Sequence, residues 1–251
     1  MRERTWKRQL HGAYVIARKN ALLYYLKPPV LIFGVLFPVF FFLAFKMGRD
    51  IPVERIVPGM VAMALWFTAS AVGPLVTPWE RRAKTWERLI ATPLALKTIV
   101  IGDIASGLLF GGIFTAVPIT LGLLFTDASV SSVALLVGGV FLGALCFATL
   151  GVLLASPPAS SPSHIMMLSN LVRLPLLFVS GVFVPIDQMP RWAQYLSPLS
   201  PLSYAADMLR QGFGQPPHFP LVINIAGLLF FVAIMFAVAC RFHHRWRAKG
   251  L

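Results

Sequence analysis

Charge is scarce in this chain. Asp, Glu, Lys and Arg make up 12% of its 251 residues, and only 9 residues are acidic. The mean hydropathy is +0.76, a balance that excludes an ordinary soluble domain. Cysteine is nearly absent: Cys146 and Cys240 both lie inside apolar runs, so neither a disulfide framework nor a cysteine metal cluster is expected. Strict apolar/polar alternation is missing, which excludes a transmembrane β-barrel. There is no G-x-x-x-x-G-K-[ST] loop to cradle nucleotide phosphates. Paired carboxylates, a Ser/His/Asp set and a metal-spaced cluster are also missing, so neither a catalytic residue nor a metal site is expected.

Long apolar runs are abundant, and about 20 apolar residues cross a bilayer core as a helix. The expected fold is an all-α polytopic membrane protein with six spans, at about 29–46, 56–77, 103–126, 130–155, 164–184 and 219–240. The first run starts near Pro29 and lacks a small-residue cleavage site after it, so it reads as a retained span and not as a signal peptide. One transmembrane domain then covers 1–251, divided into an interfacial helix (1–28), the spans (29–240) and a basic tail (241–251).

The N-terminal segment reads as a basic amphipathic helix in the headgroup region. Its apolar positions are Trp6, Leu10, Ala13, Ala17, Ala21 and Tyr24. A net charge of +13 would suggest nucleic acid on a soluble protein. On a membrane protein it marks loops that stay in the cytoplasm and meet anionic lipid. Sixteen Lys and Arg gather on the side of both termini and of residues 79–97, against five on the other. Both termini are therefore expected in the cytoplasm of a cell-membrane protein.

The stretch PWERRAKTWERLIATP, 78–93, breaks the apolar pattern, with six ionisable residues between Glu80 and Arg88. It fits either a topogenic positive-inside loop or a docking helix. Two features favour docking: the acids Glu80 and Glu87, and the spacing of Trp79, Trp86, Leu89 and Ile90 along one prospective face. Pro78 is expected to open this helix and Pro93 to close it. A mixed-charge helix with an apolar face suits a groove on another protein.

These residues carry a resemblance. Glu80 to Pro93, E-x-x-x-x-T-W-E-R-L-x-A-T-P, resembles the coupling segment of ABC exporter permeases of the type-2 branch. A second, remote stretch does so too: LPLLFVSGVFVPIDQMPRWAQYLSPLSPLSYAADMLR, 174–210, is similar to that family's fifth span and external hairpin. The order of elements agrees, and within the branch the chain looks most like the daunorubicin-resistance, multidrug-efflux permeases. The resemblance implies a separate ATP-binding subunit in two copies, carrying ATP and Mg, and a homodimer of this chain. It implies docking through Glu80, Arg81, Thr85, Trp86, Glu87, Arg88 and Leu89, with the N-terminal helix as a second contact. It places Gly181, Pro185, Asp187, Trp192 and Tyr204 on an external helical hairpin, expected as a loop at the membrane surface. The implied cargo is amphipathic, drug-like or lipid-linked, moved out of the cell.

Arg173 and Pro175 lie in span 5. A charge at that depth is costly, so Arg173 is either a polar point of the transport path or dimer interface, or one half of a structural pair; Asp103 stands too near the span end to be its obvious partner. Gly107–Gly111 and Gly139–Gly143 fit close helix packing within the chain. His243-His244 reads as solvated headgroup contacts and not as a metal site. The rival functions are an ATP-independent secondary transporter and a membrane scaffold. Against the first stands the near-absence of ionisable residues within the spans.

Overall fold

The computed structural model describes residues 2–24, 32, 36–46, 55–157 and 161–248. Among them regular structure is entirely helical: α1 (Arg2–Tyr24), α2 (Phe37–Lys46), α3 (Val57–Ala69), α4 (Val72–Arg82), α5 (Thr85–Ile90), α6 (Leu96–Phe125), α7 (Val133–Ala155), α8 (Pro162–Phe178), α9 (Arg191–Leu196), α10 (Pro201–Gly212) and α11 (Leu221–Ala248). Four described stretches are long and apolar enough to cross a membrane: the α3–α4 run Val57–Arg82, α6, α7, and α11 from Leu221 to Arg245. The expected first span lies largely outside the described residues, and α2 covers its second half. The expected fifth span is α8, whose 17 residues stop at Phe178 and not at 184. Its last turn closes through Val179 N–H to Pro175 O, 3.2 Å, and Gly181 then turns the chain at φ 82°, a conformation that suits glycine.

The α3–α4 run is the centre of the bundle, and every residue of α3 is buried. Helices α6, α7 and α10 pack around it. Small residues let the backbones approach. A Cβ on Gly107 would meet Ala69 O at 2.8 Å and Ala148 Cβ at 2.6 Å, and one on Gly111 would meet Ala69 Cβ at 2.8 Å. A Cβ on Gly143 would meet Leu65 at 2.9 Å. Both G-x-x-x-G pairs therefore serve contacts within the chain. The tightest contact is a different one: Gly73 lies directly on the Gly151 backbone, so that α4 and α7 touch main chain to main chain.

Ser70 and Ala71 interrupt the central run. Pro74 has no N–H for the Ser70 carbonyl, so one ladder bond is lost. Thr68 Oγ1 donates to Ala64 O at 2.6 Å and Ser70 Oγ to Trp66 O at 2.5 Å, back-bonding that bends helices. Pro78 does not open a helix: it sits buried inside α4, which runs on to Arg82.

Two expectations about faces are corrected. In α1 the buried positions are Gly12, Ile16, Ala17 and Asn20, packed against α6, while Trp6, Leu10 and Tyr14 are exposed. The helix has two apolar faces, one for the protein and one outward. The segment after α8 is also more than a surface loop. Helix α10 is buried from Pro201 to Leu209 and packs on α3, α7 and α11. Its Ala205, Met208 and Leu209 face Gly139 and Gly143, whose lack of side chains makes the room. Helix α9 and the turns beside it keep a surface character, with Asp187, Trp192, Tyr195 and Leu199 exposed.

Candidate functional site

The charged stretch folds as two helices at an angle. Helix α4 ends at Arg82, and Lys84 adopts φ 55°, a left-handed conformation that costs a non-glycine residue strain. Helix α5 then covers Thr85–Ile90. The prospective single face is thereby split. Trp79 is 48% exposed, whereas Trp86 is 5% exposed and packs with Ile16 and Ile99 beside Leu89 and Leu94. Trp86 thus points into this chain. Arg82, Lys84, Thr85 and Arg88 are exposed. Glu87 and Ile90 belong to α5, and their side chains lie outside the described residues.

Helix α1 grips the stretch at three levels. Lys19 Nζ pairs with Glu80 Oε1. Ile16 meets Trp86. Gln9 Oε1 accepts from Ala95 N at 3.0 Å and from Thr98 Oγ1 at 2.5 Å. One turn deeper, Asn20 Nδ2 donates to Asp103 Oδ1 at 2.7 Å and to Ser106 Oγ at 3.3 Å. Asp103 is therefore the partner of Asn20, and no contact joins it to Arg173. Glu80 and Asn20 are buried, yet Glu80 Oε2 and Asn20 Oδ1 have no hydrogen-bond partner among the described residues. Thr85 Oγ1 donates to Glu80 O at 3.2 Å and ties the two short helices together.

Arg81 is turned inward as well. Its Nη1 donates to Pro157 O at 3.0 Å and its Nη2 to Ser156 O at 3.2 Å. The cation thereby meets the carbonyl end of α7, where the helix dipole favours it. His243 is not a solvated headgroup contact. It is 4% exposed, and its ring lies against Trp86. The sequence held no signal for this contact, because a histidine in a basic tail carries no mark of its packing.

Arg173 is 2% exposed, on the inward stripe Ile165, Ser169, Arg173, Leu177 of α8. Its Nε donates to Ser169 O at 3.3 Å and its Nη1 to Ser70 Oγ at 3.2 Å, and its guanidinium stands 5.9 Å from the Phe67 ring centroid. Arg173 thus ties α8 to the break in the central run, and no ion pair to it is present among the described residues. Pro175 lies two residues on, inside the same helix.

At the opposite end of the bundle the other predicted residues come together, apart from Trp192. Asp207 accepts from Gln211 Nε2 (3.0 Å), His218 N (2.7 Å), Phe219 N (3.1 Å) and Asn224 Nδ2 (2.7 Å). Asp187 Oδ1 lies 2.9 Å from His218 Nδ1. Arg210 donates to Gly181 O and so holds the turn after α8. Burial lowers the Arg210 pKa, while the nearby Asp207 and Asp187 raise it. Pro185 precedes the 3-10 turn Ile186–Gln188. Tyr204 Oη donates to Pro198 O at 3.0 Å, and its ring packs 5.3 Å from Phe219.

These features define a helical membrane protein with a small charged helix set off from one end of an apolar bundle. The chain belongs to the ABC-2 type transporter family, whose profile matches residues 12–214. It is 30% identical over 209 residues to Nodulation protein J of Sinorhizobium fredii, covering 80% of this chain and 78% of that protein. It is 26% identical over 227 residues to the Inner membrane transport permease YadH of Escherichia coli, covering 88% of each. It is therefore the membrane component of an ABC transporter. Subunits of this kind are not enzymes, and the ATPase they work with is a separate subunit.

Proposed function

We propose that this chain is the membrane-spanning subunit of an ATP-driven exporter, a six-span single permease domain with both termini in the cytoplasm. Two copies form the pathway and pair with two copies of the ATP-binding subunit, which carries ATP and Mg. Helix α5 is the coupling helix. The observation that carries this reading is its placement. It stands at the same end as the α1–Glu80 contact and the basic end of α11, with Arg82, Lys84 and Arg88 exposed. Thr85 and Leu89 flank the exposed face, and Glu87 belongs to the same helix. Glu80, Arg81 and Trp86 support the helix from inside and do not touch the partner.

The cargo is amphipathic, drug-like or lipid-linked. The outer faces support this: Leu109, Ile113 and Val117 on α6 and Met167, Leu171 and Phe178 on α8 are exposed without a polar stripe between them. Such faces suit lipid contact or a second copy of the chain. Arg173 fixes the bend in the central run from inside the chain and supplies a polar point beside the path. The test is accumulation of a fluorescent amphipathic dye in inside-out vesicles that hold the chain and its ATPase. The reading expects accumulation that needs Mg-ATP and disappears with vanadate. Accumulation driven by an ion gradient without ATP would contradict it.

A further inference from the structure

Helix α5 has six residues, too few to stand as an independent helix. Its position depends on what holds it, and the hold centres on Trp86. The Arg81 guanidinium stands 5.7 Å from the Trp86 ring centroid. The His243 ring stands 5.5 Å from it, with the planes 36° apart. Arg81 also donates to the Ser156 and Pro157 carbonyls at the end of α7. His243 Nε2 lies 3.3 Å from Ser156 Oγ. The contacts close a circuit: α4 through Arg81, α5 through Trp86, α11 through His243, α7 through Ser156, and back to Arg81. Ser156 and His243 are buried. The Trp86 ring thus meets both Arg81 and His243, and both of these also meet the same end of α7.

We propose that Arg81, Trp86, His243 and Ser156 form the joint through which displacement of α5 reaches α7 and α11, and that His243 is a positioning residue within it. This rests on the docking role of α5 but assigns a different task to different atoms. The exposed residues of α5 meet the partner, and this buried ring of contacts carries the motion onward. In close-packed interiors such contacts move together and do not deform independently. The ends of α7 and α11 then follow the coupling helix, although neither is its neighbour in sequence.

The experiment uses the full complex of the chain with its ATP-binding subunit in nanodiscs. Cys240, half-buried on α11, is labelled with a maleimide before and after Mg-ATP and vanadate. In the intact complex the trapped state changes the labelling rate by about fivefold. His243→Ala keeps the ATPase bound but loses the nucleotide-dependent change, and His243→Phe, which keeps a ring on Trp86, restores most of it. A merely structural role would alter the basal rate and leave the nucleotide response intact. Persistence of the response in His243→Ala would overturn the proposal. Loss of the ATPase from His243→Ala would overturn it too, by placing His243 in the docking surface. If the intact chain binds no ATPase, the docking reading itself fails. The joint is then tested without a partner by thermal unfolding of Trp86→Ala, His243→Ala and the double variant in detergent. Non-additive losses support the circuit, and additive losses contradict it.

Discussion

The two ends of the bundle each bury a carboxylate, and they treat it differently. Asp207 accepts four hydrogen bonds, two from side chains and two from backbone N–H groups. Glu80 has one charged partner, Lys19, and its second oxygen has none among the described residues. Lys19 is itself partly exposed, which weakens the pair through screening. The first arrangement fastens a segment to its neighbours, because removing the acceptor strands every donor around it. The second joins two helices through a single ion pair, so far fewer contacts hold this end's carboxylate than hold Asp207. One end of the bundle is thus fastened by several hydrogen bonds to one acceptor and the other by one ion pair.

Two substitutions probe that contrast directly. Asp207→Ala leaves the His218 and Phe219 N–H groups and the Asn224 amide without their acceptor. It is expected to cost about 3 kcal/mol, read as a lower midpoint of thermal unfolding in detergent. Glu80→Ala is expected to cost about 1 kcal/mol in the same assay. Equal losses for the two would erase the comparison. Next, Gly73→Leu drives a side chain into the Gly151 backbone, where α4 and α7 meet. Overpacking of a close contact costs about 2 kcal/mol, and the expected readout is poor recovery of folded protein, with Gly112→Leu, open to space, as the tolerated control. The smallest effect has the opposite sign. Lys84 is strained at φ 55°, so Lys84→Gly is expected to gain about 0.5 kcal/mol; a loss instead would mean that the Lys84 side chain stabilises the folded chain.

Much of this architecture was legible before the structure. Hydropathy and length placed apolar runs where the α3–α4 run, α6, α7 and α11 stand, but not their charged ends: α6 begins at Leu96 and not at 103, and α11 runs on to Ala248 and not to 240, because a helix continues past its apolar core. The six ionisable residues of 80–88 marked the one stretch that behaves unlike its neighbours. What stayed hidden depends on partners and not on pattern. Tryptophan suits a buried wedge and an exposed docking face equally, so spacing did not separate Trp79 from Trp86. Proline at 78 signals a helix start or a tolerated interior position, and the buried run before it decided for the second. Helix α10 reads as a polar, broken segment because its Ser203, Tyr204 and Asp207 find their partners elsewhere in the fold: Ser203 at Ser197, Tyr204 at Pro198 O, and Asp207 at His218 N, Phe219 N and Asn224. His243 gave no sign, since its partners Ser156 and Trp86 are remote in sequence.

The most direct measurement is a pull-down from mild detergent in the presence of ATP, comparing the intact chain with Glu87→Ala/Arg88→Ala. The account predicts that the intact chain brings down a soluble ATP-binding subunit and that the double variant, though folded, loses at least about tenfold of it. Equal recovery by both would show that α5 is not the docking element, and the charged stretch would then serve only to hold its loop on one side of the membrane.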